Sequence, residues 1–542
     1  MANTPAPESS REAAATLDLP PSQTGFAAAN DTRFFGHPRG LATLFTTEMW
    51  ERFSYYGLRP LLVLFMAAAL TEGGFGLPRD QASAIVGIYG ASVYLASLPG
   101  GWIADRLLGL QRAIFIGAVL ITGGHLSIGL SGLAGAGTAG KAFFFLGLIL
   151  IVFGTGLLKP NISAIVGDLY PEGGARRDAG FSIFYMGINI GAFLGQLITG
   201  ALGETVGWHY GFGAAGVGMF FGLVVYSMSA KKTLGSIGSA PTRHPDAAVQ
   251  ARQERSVKLL TGIGVGIVAL VFVLALAGVF VPDAQVIGQW MTAVLVGLAV
   301  LYFANVFAFG GLSGDEKRRV AVIVVLFLFA AIFWSAFEQA PTSLNLFAAD
   351  FTDRNIAGFE MPATWFQSIN SFFVIALAPV FAAIWIGLGK RGIDLSSPAK
   401  FAMGLFFAGL GFFMMIFAAN AVVSSGGQIK VSPWWLVGSY FFQTVGELCL
   451  SPVGLSSMTK LSPRKYVGQM MGIWFLASAV GNLIGGLVGG HVDPEKLEQM
   501  PTLFTTTTAS LMIAAVVLAL LSIPIRRMMA NTPSDGTQRP AH

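Results

Sequence analysis

The sequence EMWERFSYYG, residues 48–57, places three charged side chains inside a stretch that is otherwise largely apolar from about residue 41 to residue 70. About 20 mostly apolar residues are enough for a helix to cross a membrane. A charge at mid-membrane costs about 2.5–3.5 kcal/mol, so each one needs a partner or a function. The charged residues, the two tyrosines and Arg59 recur at steps of three, four and seven, which places them on one stripe of a helix. The stretch therefore predicts a membrane helix whose polar stripe faces protein or water.

The composition of the whole chain indicates a polytopic membrane protein. Of its 542 residues, 54% are hydrophobic and 11% are charged, whereas soluble domains are about 25% charged. The formal net charge is +5, but the basic residues are scattered over loops, so we expect no nucleic acid partner. The single cysteine, Cys449, permits neither an intrachain disulfide nor a multi-cysteine metal site.

Fourteen stretches of the chain are apolar and long enough to span a bilayer, which predicts an all-α membrane protein. They lie near residues 41–70, 81–104, 112–133, 142–168, 179–202, 208–229, 259–281, 286–310, 320–346, 363–388, 399–420, 433–458, 467–489 and 502–525.

Lysine and arginine are concentrated in alternate loops, which predicts the orientation of the spans. Positive residues favour the cytoplasmic side of short loops, so both termini are expected in the cytoplasm. With no export signal at the N-terminus, we expect a multi-pass protein of the cell inner (plasma) membrane. The richer loops include Arg106, Arg112, Arg176, Arg177, Lys317, Arg318, Arg319, Lys390, Arg391, Lys400, Lys460, Arg464 and Lys465, and the opposite loops hold Arg79, Lys141, Arg354, Lys430 and Lys496.

A long basic stretch between the sixth and seventh spans divides the chain. The remaining twelve spans then form two halves of six, an arrangement of secondary transporters. The predicted regions are a disordered cytoplasmic tail (1–39), an N-terminal six-helix bundle (40–230), a cytoplasmic linker (231–258), a two-helix hairpin (259–310), a C-terminal six-helix bundle (311–530) and a cytoplasmic tail (531–542).

Seven charges fall inside predicted spans, four acids and three bases, so nearly all of them can pair. One interpretation is that ion pairs merely fasten the helices together. We favour a water-filled cavity for a zwitterionic or anionic substrate, because the stripe on the first span has more hydrogen-bonding capacity than one pair needs. The seven are Glu48, Glu51, Arg52, Arg59, Lys159, Glu338 and Glu447.

Several motifs resemble those of the proton-dependent oligopeptide transporter family of the major facilitator superfamily, in its bacterial type with fourteen spans. Residues 48–57 resemble its E-x-x-E-R-F-x-Y-Y-G motif, and GGWIADRLLG (100–109) resembles the loop between facilitator spans two and three. FSIFYMGINIG (181–191), FWSAFEQ (333–339) and GELCLSP (446–452) resemble its fifth, seventh and tenth spans, counted without the hairpin. The resemblance implies the major facilitator fold and a proton-coupled symporter that imports di- and tripeptides by alternating access. It also implies a membrane-embedded protein that is no enzyme, and we expect a monomer without cofactor or metal.

The resemblance also implies roles for individual residues. Arg52 and Lys159 would bind the peptide carboxylate, with Arg59 adding positive charge, and Glu447 would bind the ammonium with help from Asn189 and Asn370. Side-chain pockets would be lined by Tyr55, Tyr56, Tyr94, Trp334, Trp474 and Ser478. Proton coupling and gating would involve Glu48, Glu51, Arg52, Lys159, Glu447, Asp105 and Glu338, the last paired with an arginine of the other bundle.

Physical chemistry is compatible with these roles, although alternatives remain. Arginine binds carboxylates in a bidentate manner, and bases in one half with acids in the other would orient a zwitterion. Asp105 is either a gating residue, binding a helix N-terminus or a base of the other half, or part of a loop that only sets topology. His125 is either a packing residue or a proton relay.

Two rival functions follow from the same residues. A nitrate or other small-anion porter of the same family would also use a basic cavity, but Glu447 would then have no cation to bind. A membrane sensor would need an appended signalling domain. The chain contains no G-x-x-x-x-G-K-[ST] motif, so an ion or solute gradient is the expected energy source.

Overall fold

The computed structural model describes residues 30–392 and 395–530, and almost all of its regular structure is helical. Within those residues, fourteen long helices and one short helix follow one another: α1 (Arg39–Ala67), α2 (Arg79–Ile103), α3 (Leu110–Ala134), α4 (Thr138–Asp168), α5 (Gly174–Thr205), α6 (Trp208–Leu234), α7 (Ala247–Leu276), α8 (Ala284–Phe309), α9 (Gly314–Phe337), the short α10 (Asn345–Phe351), α11 (Trp365–Lys390), α12 (Ser397–Ser424), α13 (Trp434–Leu461), α14 (Val467–Gly489) and α15 (Gln499–Ala530). Two short antiparallel strands, β1 (Asn355–Ile356) and β2 (Phe359–Glu360), pair Asn355 with Glu360 between α10 and α11.

The predicted all-α membrane fold is confirmed. In the described ranges, twelve helical segments are long and apolar enough to cross a membrane. The two long helices outside that set are α1 and α13, which hold the intramembrane acids Glu48, Glu51 and Glu447. Their polar residues lower the average hydropathy, so hydropathy alone underestimates the helices that are most polar inside.

Helices α1–α6 form one bundle, helices α9 and α11–α15 form the other, and α7 and α8 form the additional hairpin. Glycines allow the closest helix approaches. A Cβ atom added to Gly154 would lie 2.6 Å from the carbonyl oxygen of Gly117, which brings α4 against α3. A Cβ atom on Gly486 would lie 2.6 Å from the Cα atom of Gly87, so α14 of one bundle meets α2 of the other at backbone distance. Small residues permit such contacts in membranes.

The linker predicted at 231–258 is shorter than expected, because helices extend into it from both sides. Helix α6 continues to Leu234 and α7 begins at Ala247 instead of 259. The side chain of Asp246 accepts hydrogen bonds from the backbone N–H groups of Ala248 and Val249, which is a typical N-cap. The following residues are mostly good helix formers, so the first hairpin helix extends beyond its apolar part.

Two other predicted boundaries need correction. The tail predicted at 1–39 includes residues 30–38, which are folded against the protein, and α1 already begins at Arg39; residues 1–29 lie outside the described part. Within residues 30–38, His37 is 9% exposed, and its Nδ1 lies 2.8 Å from the hydroxyl oxygen of Tyr170. The span predicted at 320–346 is interrupted after Phe337, where a π-helical turn with Pro341 precedes α10. Proline removes a backbone donor and prevents a continuous helix. The tail predicted at 531–542 lies outside the described residues.

Candidate functional site

A cavity of about 590 Å³ lies between the two bundles. Its walls come from α1, α2, α4 and α5 on one side and from α9, α11, α13 and α14 on the other. Eleven of the predicted site residues line it: Tyr56, Arg59, Tyr94, Lys159, Asn189, Trp334, Glu338, Asn370, Glu447, Trp474 and Ser478. Residues predicted from eight different helices are therefore brought to one space.

One wall of the cavity is basic, through Lys159 on α4. Its Nζ atom lies 4.4 Å from the ring centroid of Tyr94 on α2, a cation–π contact. In the described part of the chain Lys159 forms no salt bridge. Its ammonium therefore contacts an aromatic ring and not a carboxylate.

The opposite wall is acidic, through Glu447 on α13. Its Oε2 accepts a hydrogen bond of 3.2 Å from Nδ2 of Asn370, which also donates to Oγ1 of Thr444 at 3.0 Å. No basic side chain among the described residues forms a salt bridge with Glu447. The cavity thus has a base in one bundle and an acid in the other, and neither forms a salt bridge with a described residue.

Arg52 does not reach the cavity, contrary to the expectation that it binds substrate there. Its guanidinium forms ion pairs with Glu48, at 3.1 Å, and with Glu51, and its side chain is 3% exposed. The rings of Tyr55 and Tyr56 lie beside it, with centroids 5.2 Å and 6.0 Å from Cζ. Two carboxylates on the same helix therefore retain the guanidinium inside the N-terminal bundle.

Tyr55 is also absent from the cavity wall and is 4% exposed. Its ring stacks on Tyr89 of α2, with centroids 6.1 Å apart, and meets the edge of Tyr56. Of the two neighbouring tyrosines, only Tyr56 lines the cavity, because consecutive residues on a helix point about 100° apart.

At one end of the cavity, which we call the gate end, polar contacts join the two bundles. Nη2 of Arg59 lies 2.5 Å from Oε2 of Glu338 and 2.5 Å from Oδ1 of Asn482. Nδ2 of Asn345 donates to the carbonyl oxygen of Pro60 at 2.7 Å.

Two further acids extend this connection. Glu204 accepts hydrogen bonds from the backbone N–H groups of Ala363 and Thr364, and Asp350 pairs with Arg79 at 2.5 Å. The opposite end, which we call the linker end, holds residues 104–109, 235–246 and 462–466. Over the described ranges, no salt bridge joins the two bundles there. The gate end is closed in this conformation.

Asp105 does not have either of the contacts expected of a gating residue. It lies in a π-helical turn after α2, and its backbone carbonyl accepts a hydrogen bond from the N–H of Thr242 at 2.8 Å. Its carboxylate has no salt bridge and no hydrogen bond to a helix N-terminus in the described structure. The loop instead contacts the segment before the hairpin, because residues 235–242 fold over it.

Several polar residues that line the cavity were not among the site residues predicted from the sequence. Their signal was helical spacing, because residues three or four apart share a face. Tyr185 precedes Asn189 by four residues, and its carbonyl oxygen accepts a hydrogen bond from the Asn189 side chain at 3.0 Å. The other missed polar residues are Ser163, Gln196, Gln367, Ser371, Tyr440, Gln443 and Ser451. His125 is 1% exposed and lies outside the cavity lining, which agrees with the packing alternative.

Comparisons with known proteins identify the family of the chain. A family model described as the POT family matches residues 111–503. The peptide transporter YePEPT of Yersinia enterocolitica is 49% identical over 519 residues, which cover 95% of this chain and 100% of that protein. A di-/tripeptide transporter of Lactococcus lactis is 38% identical over 92% of this chain and 98% of its own length.

Two crystal structures are similar over nearly the full length. A peptide transporter POT in complex with sulfate has a TM-score of 0.83 and 40% identity, covering 92% of this chain and 96% of that one. A POT family transporter in complex with 5-aminolevulinic acid has a TM-score of 0.82 and 34% identity, covering 92% and 99%.

Proposed function

This chain belongs to the POT family, and from that premise and its cavity we propose that it is a proton-coupled symporter that imports di- and tripeptides by alternating access. The proposal places it in the cell inner membrane with the linker end and both termini in the cytoplasm. The relatives that are named as peptide transporters support the substrate class, and the concentration of lysine and arginine at the linker end supports the orientation.

The observation on which the substrate class rests is the pair of opposite charges on the two walls of the cavity, neither of which forms a salt bridge with a described residue. A free peptide has a carboxylate and an ammonium separated by a short backbone. Lys159 is suited to the carboxylate, and Glu447 with Asn370 is suited to the ammonium. Charge-assisted hydrogen bonds are about twice as strong as neutral ones. Fixing the two ends that every peptide shares leaves the variable side chains to the rest of the cavity.

Aromatic residues supply that remaining surface. Trp334 and Trp474 of the C-terminal bundle and Tyr56 of the N-terminal bundle line the cavity. The indole of Trp474 packs over Gly454, where an added Cβ atom would meet its ring at 2.1 Å. Aromatic walls accept apolar groups of many shapes, which suits a transporter that binds peptides of different sequence.

We infer proton coupling from the Glu48–Glu51–Arg52 cluster. In this conformation the two carboxylates retain Arg52 away from the cavity. Protonation of either acid removes one of the two anionic partners of Arg52. The electrostatic attraction that holds its guanidinium inside the bundle is then weaker. Arg52 then becomes available to the peptide carboxylate beside Lys159. Proton binding and peptide binding would thereby favour the same state of the cluster.

Alternating access would use the contacts at the gate end. They close one route to the cavity, whereas the described residues form no salt bridge between the bundles at the linker end. A peptide that binds between the bundles competes with Arg59 and Glu338 for the same charges. Substrate and gate therefore influence each other, as alternating access requires.

The nitrate alternative receives no support from the cavity. A small anion would use Lys159, but the carboxylate of Glu447 on the facing wall would repel it. No observation at the site favours an anion over a zwitterion.

Uptake into proteoliposomes tests the proposed function directly. Purified protein should accumulate radiolabelled dialanine when the outside is made acidic, and a protonophore should abolish that accumulation. Excess unlabelled dipeptide should compete and nitrate should not. Uptake that ignores the pH gradient would overturn the coupling, and competition by nitrate alone would favour the anion porter.

A further inference from the structure

We propose a binding site for the headgroup of an anionic phospholipid between the loop after α2 and the first helix of the hairpin. The site is a separate pocket of about 350 Å³ that does not share residues with the peptide cavity. We call it the interfacial pocket. Its lining includes Trp102, Arg106, Arg252, Gln253, Ser256 and Val257.

Two guanidinium groups line this small space and, among the described residues, no acidic side chain does, although Asp105, the residue before Arg106, acts on that guanidinium from outside the lining. Within the residues that the structure describes, neither Arg106 nor Arg252 forms a salt bridge. Nη1 of Arg106 donates to Oε1 of Gln253 at 2.6 Å, which fixes the orientation of its planar group and leaves other N–H donors unused. Two positive groups beside one pocket repel each other unless an anion binds between them. A phosphate is suited to guanidinium donors because it accepts parallel hydrogen bonds.

The surroundings of the pocket indicate that the phosphate belongs to a lipid. Next to the pocket, α7 exposes a continuous apolar face, with Leu259 at 60% and Leu260 at 56% exposure. None of the most apolar part of this helix is buried against the protein. This face is suited to acyl chains. Trp102 is 38% exposed at the rim, and tryptophan is enriched where lipid headgroups meet the hydrocarbon.

Further basic residues favour an anionic lipid over a neutral one. Arg255 and Lys258 are exposed on α7 next to the pocket without lining it. Basic residues beside a membrane attract anionic headgroups. A lipid held by Arg106 and Arg252 would add to the connections between the N-terminal bundle and the hairpin, which already include the Arg106–Gln253 and Gln81–Asp283 hydrogen bonds.

The test is lipid binding by the full-length protein, measured by native mass spectrometry during titration with phosphatidylglycerol or phosphatidylcholine. We expect the first phosphatidylglycerol to bind more tightly than phosphatidylcholine, and Arg252→Gln to weaken it about ten-fold, the effect of losing one charged hydrogen-bonding group. Arg255→Gln is the matched control, because it removes the same charge from the same helix outside the pocket. It should change binding less than two-fold.

Three results would overturn the site. Equal losses in Arg252→Gln and Arg255→Gln would mean diffuse attraction to a basic surface. Displacement of the lipid by millimolar inorganic phosphate would mean that a soluble anion is the ligand. Equal binding of the two lipids would mean that the site does not distinguish the charge of the headgroup. Dialanine affinity should stay unchanged in both variants, which verifies the fold, and no outcome depends on whether transport is proton-coupled.

Discussion

Replacing Glu338 by glutamine should open the gate end. Glu338 and Arg59 belong to different bundles, their side chains are 6% and 9% exposed, and their closest atoms are 2.5 Å apart. Hydrogen bonds to charged groups contribute about 1.5–3 kcal/mol. The bond joins the bundles only when the gate is closed, so its loss acts on the conformational equilibrium. The expected shift towards the open gate is about ten- to 150-fold.

The equilibrium can be measured as a distance between spin labels on the two bundles at the gate end. Thr138 and Gln428 are exposed there and are suitable for cysteine labels, after Cys449, which is buried, has been replaced by serine. Pulsed electron paramagnetic resonance should find a longer distance population in Glu338→Gln. Asp315→Asn is the control, because Asp315 is 41% exposed and pairs with Arg318 of the same helix. Exposed pairs contribute at most about 1 kcal/mol.

The reasoning would be refuted by distance distributions that are identical in wild type and Glu338→Gln. Asn482 would then hold Arg59 well enough alone, and the ion pair would not control the gate. An equal effect of Asp315→Asn would mean that the equilibrium responds to the loss of any acid and not to the ion pair across the bundles.

Three other changes test the cavity, the coupling and the N-terminal segment. Glu447→Gln should weaken dialanine binding by about thirty- to several-thousand-fold, from a loss of ~2–5 kcal/mol, but should affect N-acetyl-dialanine far less. Calorimetry on both ligands gives the coupling energy, and a value near zero would exclude the ammonium contact. Glu51→Gln should abolish proton-driven uptake while peptide counterflow persists, and loss of both would assign Glu51 to binding or folding. Burial and the charge of Arg176 hold the pKa of His37 below its ordinary value, so the folded segment binds fewer protons than the unfolded one. Its stability should be complete above about pH 6.5 and decrease as the pH falls, as hydrogen exchange of residues 30–38 would record, with His37→Gln removing the pH dependence.

Much of the fold could be predicted from the sequence, because a membrane constrains a chain in few ways. Every span must be a long apolar helix, since lipid offers no partners for backbone polar groups. A helix has a fixed period, which is why residues 48–59 indicated one polar stripe. The division into two bundles and a hairpin could be predicted from the long basic stretch between the sixth and seventh spans. The boundaries failed where lipid exerts no constraint, as at Ala247, where Asp246 caps a helix in the polar linker.

The sequence by itself determined which charges would lie inside the membrane, because their cost in lipid demands a compensating environment. It did not determine which of them would be paired. Only the packing of the helices decided that Arg52 is retained by Glu48 and Glu51, and that Arg59 meets Glu338 across the bundles. The same packing left Lys159 and Glu447 on facing walls, and neither forms a salt bridge with a residue in the described part of the chain. Ion pairing depends on distances of a few ångströms between helices far apart in the chain, and helical period alone does not fix those distances.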